Sequence, residues 1–176
     1  DLPGHGHSDH LPAAAHYHLA DNLHTLRAVA DAMGWQKFVL LGHSMGAAIA
    51  TLSAAAMPRR VIGLSLIDGL GPIAYTPQQE VARLQQLFEA GGTEQRPRPF
   101  SDIETAVRIR KRYSRFAIST EAAQLMVERN LRQGDEGYWW RYDERLKQPS
   151  SHYYCEQQVR GILGTISAPA LLLSAE

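Results

Sequence analysis

At 176 residues the chain is long enough to bury one core of ordinary size, and its 44% hydrophobic content is that of a globular protein rather than a disordered or fibrous one. Lys plus Arg and Asp plus Glu balance at 18 each, so no net field recruits nucleic acid or an acidic membrane surface. The lone Cys155 excludes an internal disulfide, and neither a membrane-length apolar run nor a basic-then-apolar leader is found, which points to the cytoplasm.

In chain order, Asp1 to Asp9 is a polar loop punctuated by Pro3, Gly4 and Gly6. His5, His7 and His10 in that loop match no compact zinc spacing, so no metal is expected there. From Tyr17 to Met33, Leu19, Leu23, Leu26, Val29 and Met33 recur at helical spacing, with Gly34 as the stop. Phe38 to Leu41 reads as a short buried strand, followed by Gly42-His43-Ser44-Met45-Gly46 and an Ala-rich helix to Ala56 that Pro58 closes. Val61 to Ile67 is a second strand of buried type, ending at Asp68-Gly69. Strand, helix, strand without polar alternation in the strands predicts α/β architecture, a mostly parallel sheet with helices on both faces.

Past Pro72 the pattern becomes helical. Helices are expected from Thr76 or Pro77 to a stop at Gly91-Gly92, from a Ser101 cap to about Phe116, from a Thr120 cap through Leu131, and from about Tyr153 to Leu163. Thr93 to Pro99 reads as a linker. The basic run Arg108, Arg110, Lys111, Arg112 and Arg115 is read as a solvated face, not a nucleic-acid footprint. Tyr138-Trp139-Trp140-Arg141-Tyr142 has two readings, a substrate wall or the core of a small subdomain. Ala170 to Leu173 is a last strand. The organisation expected is a partial α/β core over residues 1–72, an inserted helical cap or lid over 73–163, and a return to the core over 164–176.

The chemistry concentrates at Ser44. A serine between two glycines at a strand-to-helix junction sits on a turn too tight for flanking side chains, and Gly42 and Gly46 are read as providing that room. The helix start points backbone N–H groups, Met45 first, toward a charge forming beside Ser44. His43 is too close in sequence to act as general base and is read as structural or pocket-lining.

These motifs resemble the α/β-hydrolase fold family, in the serine-nucleophile branch with a helical cap, over the whole chain. Asp1-Leu2-Pro3-Gly4-His5-Gly6-His7-Ser8 is similar to its D-x-x-G-x-G-x-S loop, Gly42 to Gly46 to its nucleophile elbow, Leu66-Ile67-Asp68-Gly69 to the end of its sixth strand, and Ile166 to Leu173 to its seventh. Trp140 to Leu146 further resembles serine hydrolase-like members.

The resemblance implies a carboxylic ester hydrolase with a Ser-acid-His triad, no cofactor and a small-molecule substrate. The Met45 N–H and a glycine-rich loop upstream of Asp1 would form the oxyanion hole. The usual acid would follow Glu176 by about two residues, with the histidine further on. Asp68 and Glu176 are the acids within the chain that stand nearest the required place, and none of the chain's histidines follows the family's acid position after the seventh strand. The chain is therefore expected to be the middle of a longer protein, inactive by itself. Trp139 and Trp140 join His43 as pocket candidates. Other readings on the same scaffold are a non-catalytic binding protein, a cofactor-free haloperoxidase-like enzyme and a C–C bond hydrolase. Serine in place of aspartate at position 44 disfavours haloalkane dehalogenase and epoxide hydrolase chemistry.

Overall fold

The computed structural model describes residues 1–90, 98–114 and 116–174. The expected stop at Gly91-Gly92, most of the linker, Arg115 and Glu176 lie outside the described residues. The described chain forms two compact units, Tyr17–Ala90 with Pro149–Glu176, and Asp1–His16 with Gly91–Gln148. These differ in extent from the expected core and cap: the first sixteen residues group with the second unit, while the segments 73–90 and 149–163 group with the first.

In the first unit, α1 (Asn22–Ala32) is preceded by a 3-10 turn at Leu19–Asp21, so the regular helix starts later than the apolar spacing predicts. It stops before Gly34, whose φ of 69° takes the left-handed conformation. β1 (Phe38–His43), α2 (Met45–Ala56) and β2 (Val61–Ile67) follow, then α3 (Pro77–Ala90). The strand β5 (Ala170–Leu173) completes a sheet of order β1-β2-β5, parallel throughout. Its register pairs Gly42 with Leu66, His43 with Ile67, and Ile67 with Leu173.

Packing follows from small side chains. Ala47, Ala50 and Ala54 of α2 lie against Val61, Leu64 and Leu66, with Phe38 and Leu40 at the margin. Every α2 residue from Ala47 to Ala54 is buried, which is why its sequence shows almost no polar face. Thr51, fully buried, donates its hydroxyl proton to the Leu70 carbonyl at 2.7 Å. On the strand positions that alternate with Leu40 and Leu64, Val39 and Leu41 are 61% and 71% exposed. Where the spacing predicts a helix from Tyr153, Tyr154 instead bridges Ala74 in parallel and accepts from the Tyr75 N–H at 2.8 Å. The last helix, α6 (Glu156–Gly164), begins only after it.

In the second unit, α4 (Ile103–Arg112) and α5 (Thr120–Asn130) pack through Ala106, Val107, Ala123 and Val127. Both caps fall one residue from the predicted place. Asp102, not Ser101, accepts from the Thr105 N–H at 2.6 Å, and Ser119, not Thr120, accepts from the Ala122 N–H at 3.1 Å. The Ser101 hydroxyl donates to the other oxygen of Asp102 and, with the Thr105 N–H, holds this carboxyl below its usual range. Leu131 does not close α5 but opens β3 (Leu131–Gly134), which pairs antiparallel with β4 (Gly137–Trp140). The segment expected to be mainly helical thus also contains a hairpin. Its turn is Asp135-Glu136 and its register sets Arg132 opposite Trp139.

The opening loop closes on itself. The Asp1 carboxylate accepts from the His7 N–H at 2.9 Å and pairs with Arg129 at 2.7 Å, while Ser8 Oγ donates to the Asp1 carbonyl. A Cβ on Gly6 would strike that same carboxylate, so the D-x-x-G-x-G-x-S spacing encodes one folded loop. Residues 11–15 are then held by Arg145, whose guanidinium donates to the carbonyls of Leu11, Pro12, Ala13 and Ala15 and to both oxygens of Asp143. Asp143 is buried at 7% exposure, and Arg145 and, at 3.4 Å, His10 are charge partners of its carboxylate.

No helix among the described residues is long and apolar enough to cross a membrane. Substituting R145A in the full-length protein leaves a buried carboxylate and four carbonyls short of a donor, and the expected cost is about 3 kcal/mol. Urea unfolding measures that loss, and limited proteolysis should show new cleavage within residues 11–15. An R145A protein with unchanged midpoint and cleavage pattern would show that the clamp holds nothing.

Candidate active site at the end of strand one

β1 delivers Ser44 to the carboxyl edge of the sheet and α2 starts at the next residue. Ser44 has φ 52° and ψ −114°, a conformation that L-residues rarely adopt and that costs on the order of 1–3 kcal/mol. Its backbone is pinned on both sides. The N–H donates to the Ile67 carbonyl at 2.9 Å, and the carbonyl accepts from the N–H groups of Ala47 and Ala48 at 3.0 and 3.2 Å. Its side chain is exposed and makes no capping hydrogen bond to α2, although Ser44 occupies the N-cap position. A capping serine spends its hydroxyl on the helix; this one does not.

The space for the turn comes from Gly42 and Gly69. A Cβ on Gly42 would collide with the Gly46 carbonyl and lie 2.6 Å from the Ala47 nitrogen, and one on Gly69 would lie 3.0 Å from the Ser44 carbonyl oxygen. A Cβ on Gly46 meets nothing within 4 Å. The expectation that both flanking glycines provide the room is therefore corrected: Gly46 contributes the backbone that Gly42 must admit.

Met45 is the first residue of α2, and its N–H has no backbone acceptor among the described residues. It lies at the positive end of a helix whose next turns are buried and poorly screened. His43 is exposed, at the end of β1 and paired with Ile67.

Asp68 follows β2 as Ser44 follows β1, and it too has a positive φ, 49°. Its N–H donates to the Leu173 carbonyl at 2.9 Å, which repeats one strand over the bond from Ser44 to Ile67. Ser44 and Asp68 therefore stand at the same level on neighbouring strands. No hydrogen bond joins a histidine to Ser44 Oγ among the described residues. His18 bonds Ser150 Oγ at 3.0 Å, His5 Nδ1 lies 3.1 Å from the Pro3 carbonyl, and His10 lies 2.8 Å from the Arg141 carbonyl.

Trp139 and Trp140 belong to the other unit and, as neighbours on β4, face opposite sides. Trp139 lies over Gly134. Trp140 meets Phe100 edge-on at 5.3 Å and also lines a cavity of about 660 Å³. Lys147, which lines the same cavity, was not marked by the sequence; Tyr142 belongs to the aromatic run and Arg110 to the basic run that was read as a solvated face. Partial burial draws Lys147 down, but hydrogen bonds with Glu144 and Tyr142 outweigh it and the ammonium pKa is raised. No group of three or more His, Cys, Asp or Glu side chains that could hold a metal occurs among the described residues.

The chain matches the sequence profile of the alpha/beta hydrolase fold over residues 1–155 and belongs to that family, whose architecture is a parallel sheet with helices on both sides. It is 30% identical to a serine hydrolase-like protein of Dictyostelium discoideum, over 98% of this chain and 50% of that protein. The crystal structure of a hypothetical protein from Pseudomonas aeruginosa PAO1 superposes with a TM-score of 0.93 at 36% identity, covering 100% of this chain and 63% of that one. A thioesterase domain from the curacin biosynthetic pathway gives a TM-score of 0.76 at 27% identity, over 98% and 60%. The chain thus spans about half the length of the curated relative it matches.

The elbow geometry separates its two glycines experimentally. G42A should lower stability by roughly 1–3 kcal/mol or more because backbone has to move. G46A, in a helix first turn with open space, should be neutral or slightly stabilising. Equal urea midpoints for the two variants would refute the close approach at Gly42.

Proposed function

We propose that the full-length protein carrying this chain is a serine hydrolase that cleaves carboxylic esters through an acyl-enzyme on Ser44. The observation that supports it most is a strained, exposed serine whose hydroxyl is withheld from the helix it precedes. Ser44 Oγ attacks the ester carbonyl and loses its proton to a general base. The carbonyl oxygen becomes an oxyanion beside the Met45 N–H, and collapse expels the alcohol after it receives that proton. Water, activated by the same base, then attacks the acyl-Ser44 ester and releases the acid.

The triad acid and histidine are assigned, by the family pattern, to the portion of the protein beyond this chain. Asp68 is the alternative acid, supported by its level beside Ser44. The chemistry calls for no cofactor or metal. Residues 73–163 are proposed as a cap that selects a small-molecule substrate, and His43 is proposed as a pocket residue beside Ser44. The exposed single thiol of Cys155 agrees with a reducing, cytoplasmic setting. The competing reading, a binding protein on the same scaffold, draws on the lack of any histidine bonded to Ser44 among the described residues.

A fluorophosphonate probe followed by intact-mass spectrometry tests the reading. The full-length protein should gain one adduct on the peptide containing Ser44, and S44A should gain none. Labelling that persists in S44A, or a folded full-length protein that never labels, would overturn the hydrolase mechanism. For the acid, D68N should keep most of the ester hydrolysis of the wild type. Near-total loss of turnover in a folded D68N protein would transfer the triad acid to Asp68.

A further inference from the structure

The basic run on α4 was read as a solvated face, and most of it has partners. Arg108 donates to Thr105 Oγ1 at 3.2 Å, Lys111 to Thr120 Oγ1 at 2.6 Å, and Arg112 sits 5.8 Å from the centre of the Tyr113 ring. Arg110 differs. It turns into the 660 Å³ cavity, and the acceptor it finds there is the thioether of Met126 at 3.7 Å. Sulfur of that kind is a weak acceptor, so the guanidinium fork keeps its donors for something else. It is also only partly exposed, which raises the worth of an anion placed against it.

The rest of the cavity is aromatic. Trp140 and Tyr142 lie nearly parallel, 23° between planes and 5.9 Å between centres, and Tyr113 adds a third ring that is 75% exposed. Lys147 closes another side, held by Glu144 at 2.7 Å and lying 4.8 Å from the Tyr142 ring centre. Glu144 offsets Lys147, and Arg110 and Arg112 leave the surroundings positive. A volume of this order is that of a small-molecule site, roughly 300–1,000 Å³.

We propose that this cavity is a binding site for a planar aromatic carboxylate, with Arg110 gripping the carboxylate through two parallel N–H donors and the rings of Tyr113, Trp140 and Tyr142 receiving the flat body. Flat rings select a flat ligand, and a guanidinium selects carboxylate geometry over a point anion. An organic acid is also what ester hydrolysis releases; every residue lining this cavity belongs to the second unit.

Isothermal titration calorimetry on the full-length protein in an S44A background removes turnover from the measurement. The probes are 2-naphthoate and its neutral isostere 2-naphthamide. Naphthoate should bind saturably, and R110Q should weaken it roughly tenfold or more, the loss of a charge-assisted bidentate pair. Naphthamide should bind the parent more weakly than naphthoate and be insensitive to R110Q. The second variant, Y113A, should weaken both probes alike, because a ring contributes to the body and not to the charge. Absence of naphthoate binding, equal affinity in R110Q, or equal affinity of the two probes for the parent would each overturn the assignment. None of these results depends on whether Ser44 is a nucleophile.

Discussion

The close approach of two backbones at Gly42 is the constraint on which the site depends. The end of β1 and the first turn of α2 run so near that the Gly46 carbonyl occupies the volume a side chain on Gly42 would need. Only with that contact can the chain reverse from strand to helix within one residue, and that residue is Ser44. The left-handed conformation of Ser44 is the result. It persists because hydrogen bonds on both sides, to Ile67 and from Ala47 and Ala48, leave its backbone no other place to go.

The energy that holds this strain comes from the burial behind it. Alanines at 47, 50 and 54 let α2 settle onto Val61, Leu64 and Leu66, so the helix axis is fixed by small side chains and the sheet by large ones. Enlarging those alanines would push the helix outward and move Met45 and Ser44 with it. The same burial explains the electrostatics: a helix enclosed from Ala47 to Ala54 delivers its positive end at Met45 with little solvent along its length to screen it. Packing and charge stabilisation are therefore one feature, seen from opposite ends of α2.

Much of this was legible in the sequence where a pattern and a punctuating residue agree. Strand Val61–Ile67 falls where its largely apolar run places it, and α2 ends where Pro58 requires. The elbow was legible because five residues encode a local turn. The losses have physical causes. Both cap errors arise from adjacent residues that can each cap, Ser101-Asp102 and Ser119-Thr120, where one neighbour wins the N–H by geometry that spacing does not encode. The hairpin of β3 and β4 was hidden because Leu131 continues the helical stripe of α5, and its burial against Val127 suits either conformation. Arg110 was lost inside a basic run, since nothing in five like charges tells which one faces inward.

The repetition of one geometry on two strands bears on how the site is built. Ser44 and Asp68 each follow a strand of the same sheet, each takes a positive φ near 50°, and each gives its N–H to the last residue of the next strand, Ile67 or Leu173. A parallel sheet imposes this, because its slanted hydrogen bonds carry each strand end one step past its neighbour. Gly69 then lies against the Ser44 carbonyl, so the turn after β2 helps to wall the turn after β1. The position of Asp68 is thereby tied to Ser44 through backbone, and a change at Gly69 would be felt at Ser44 through that contact.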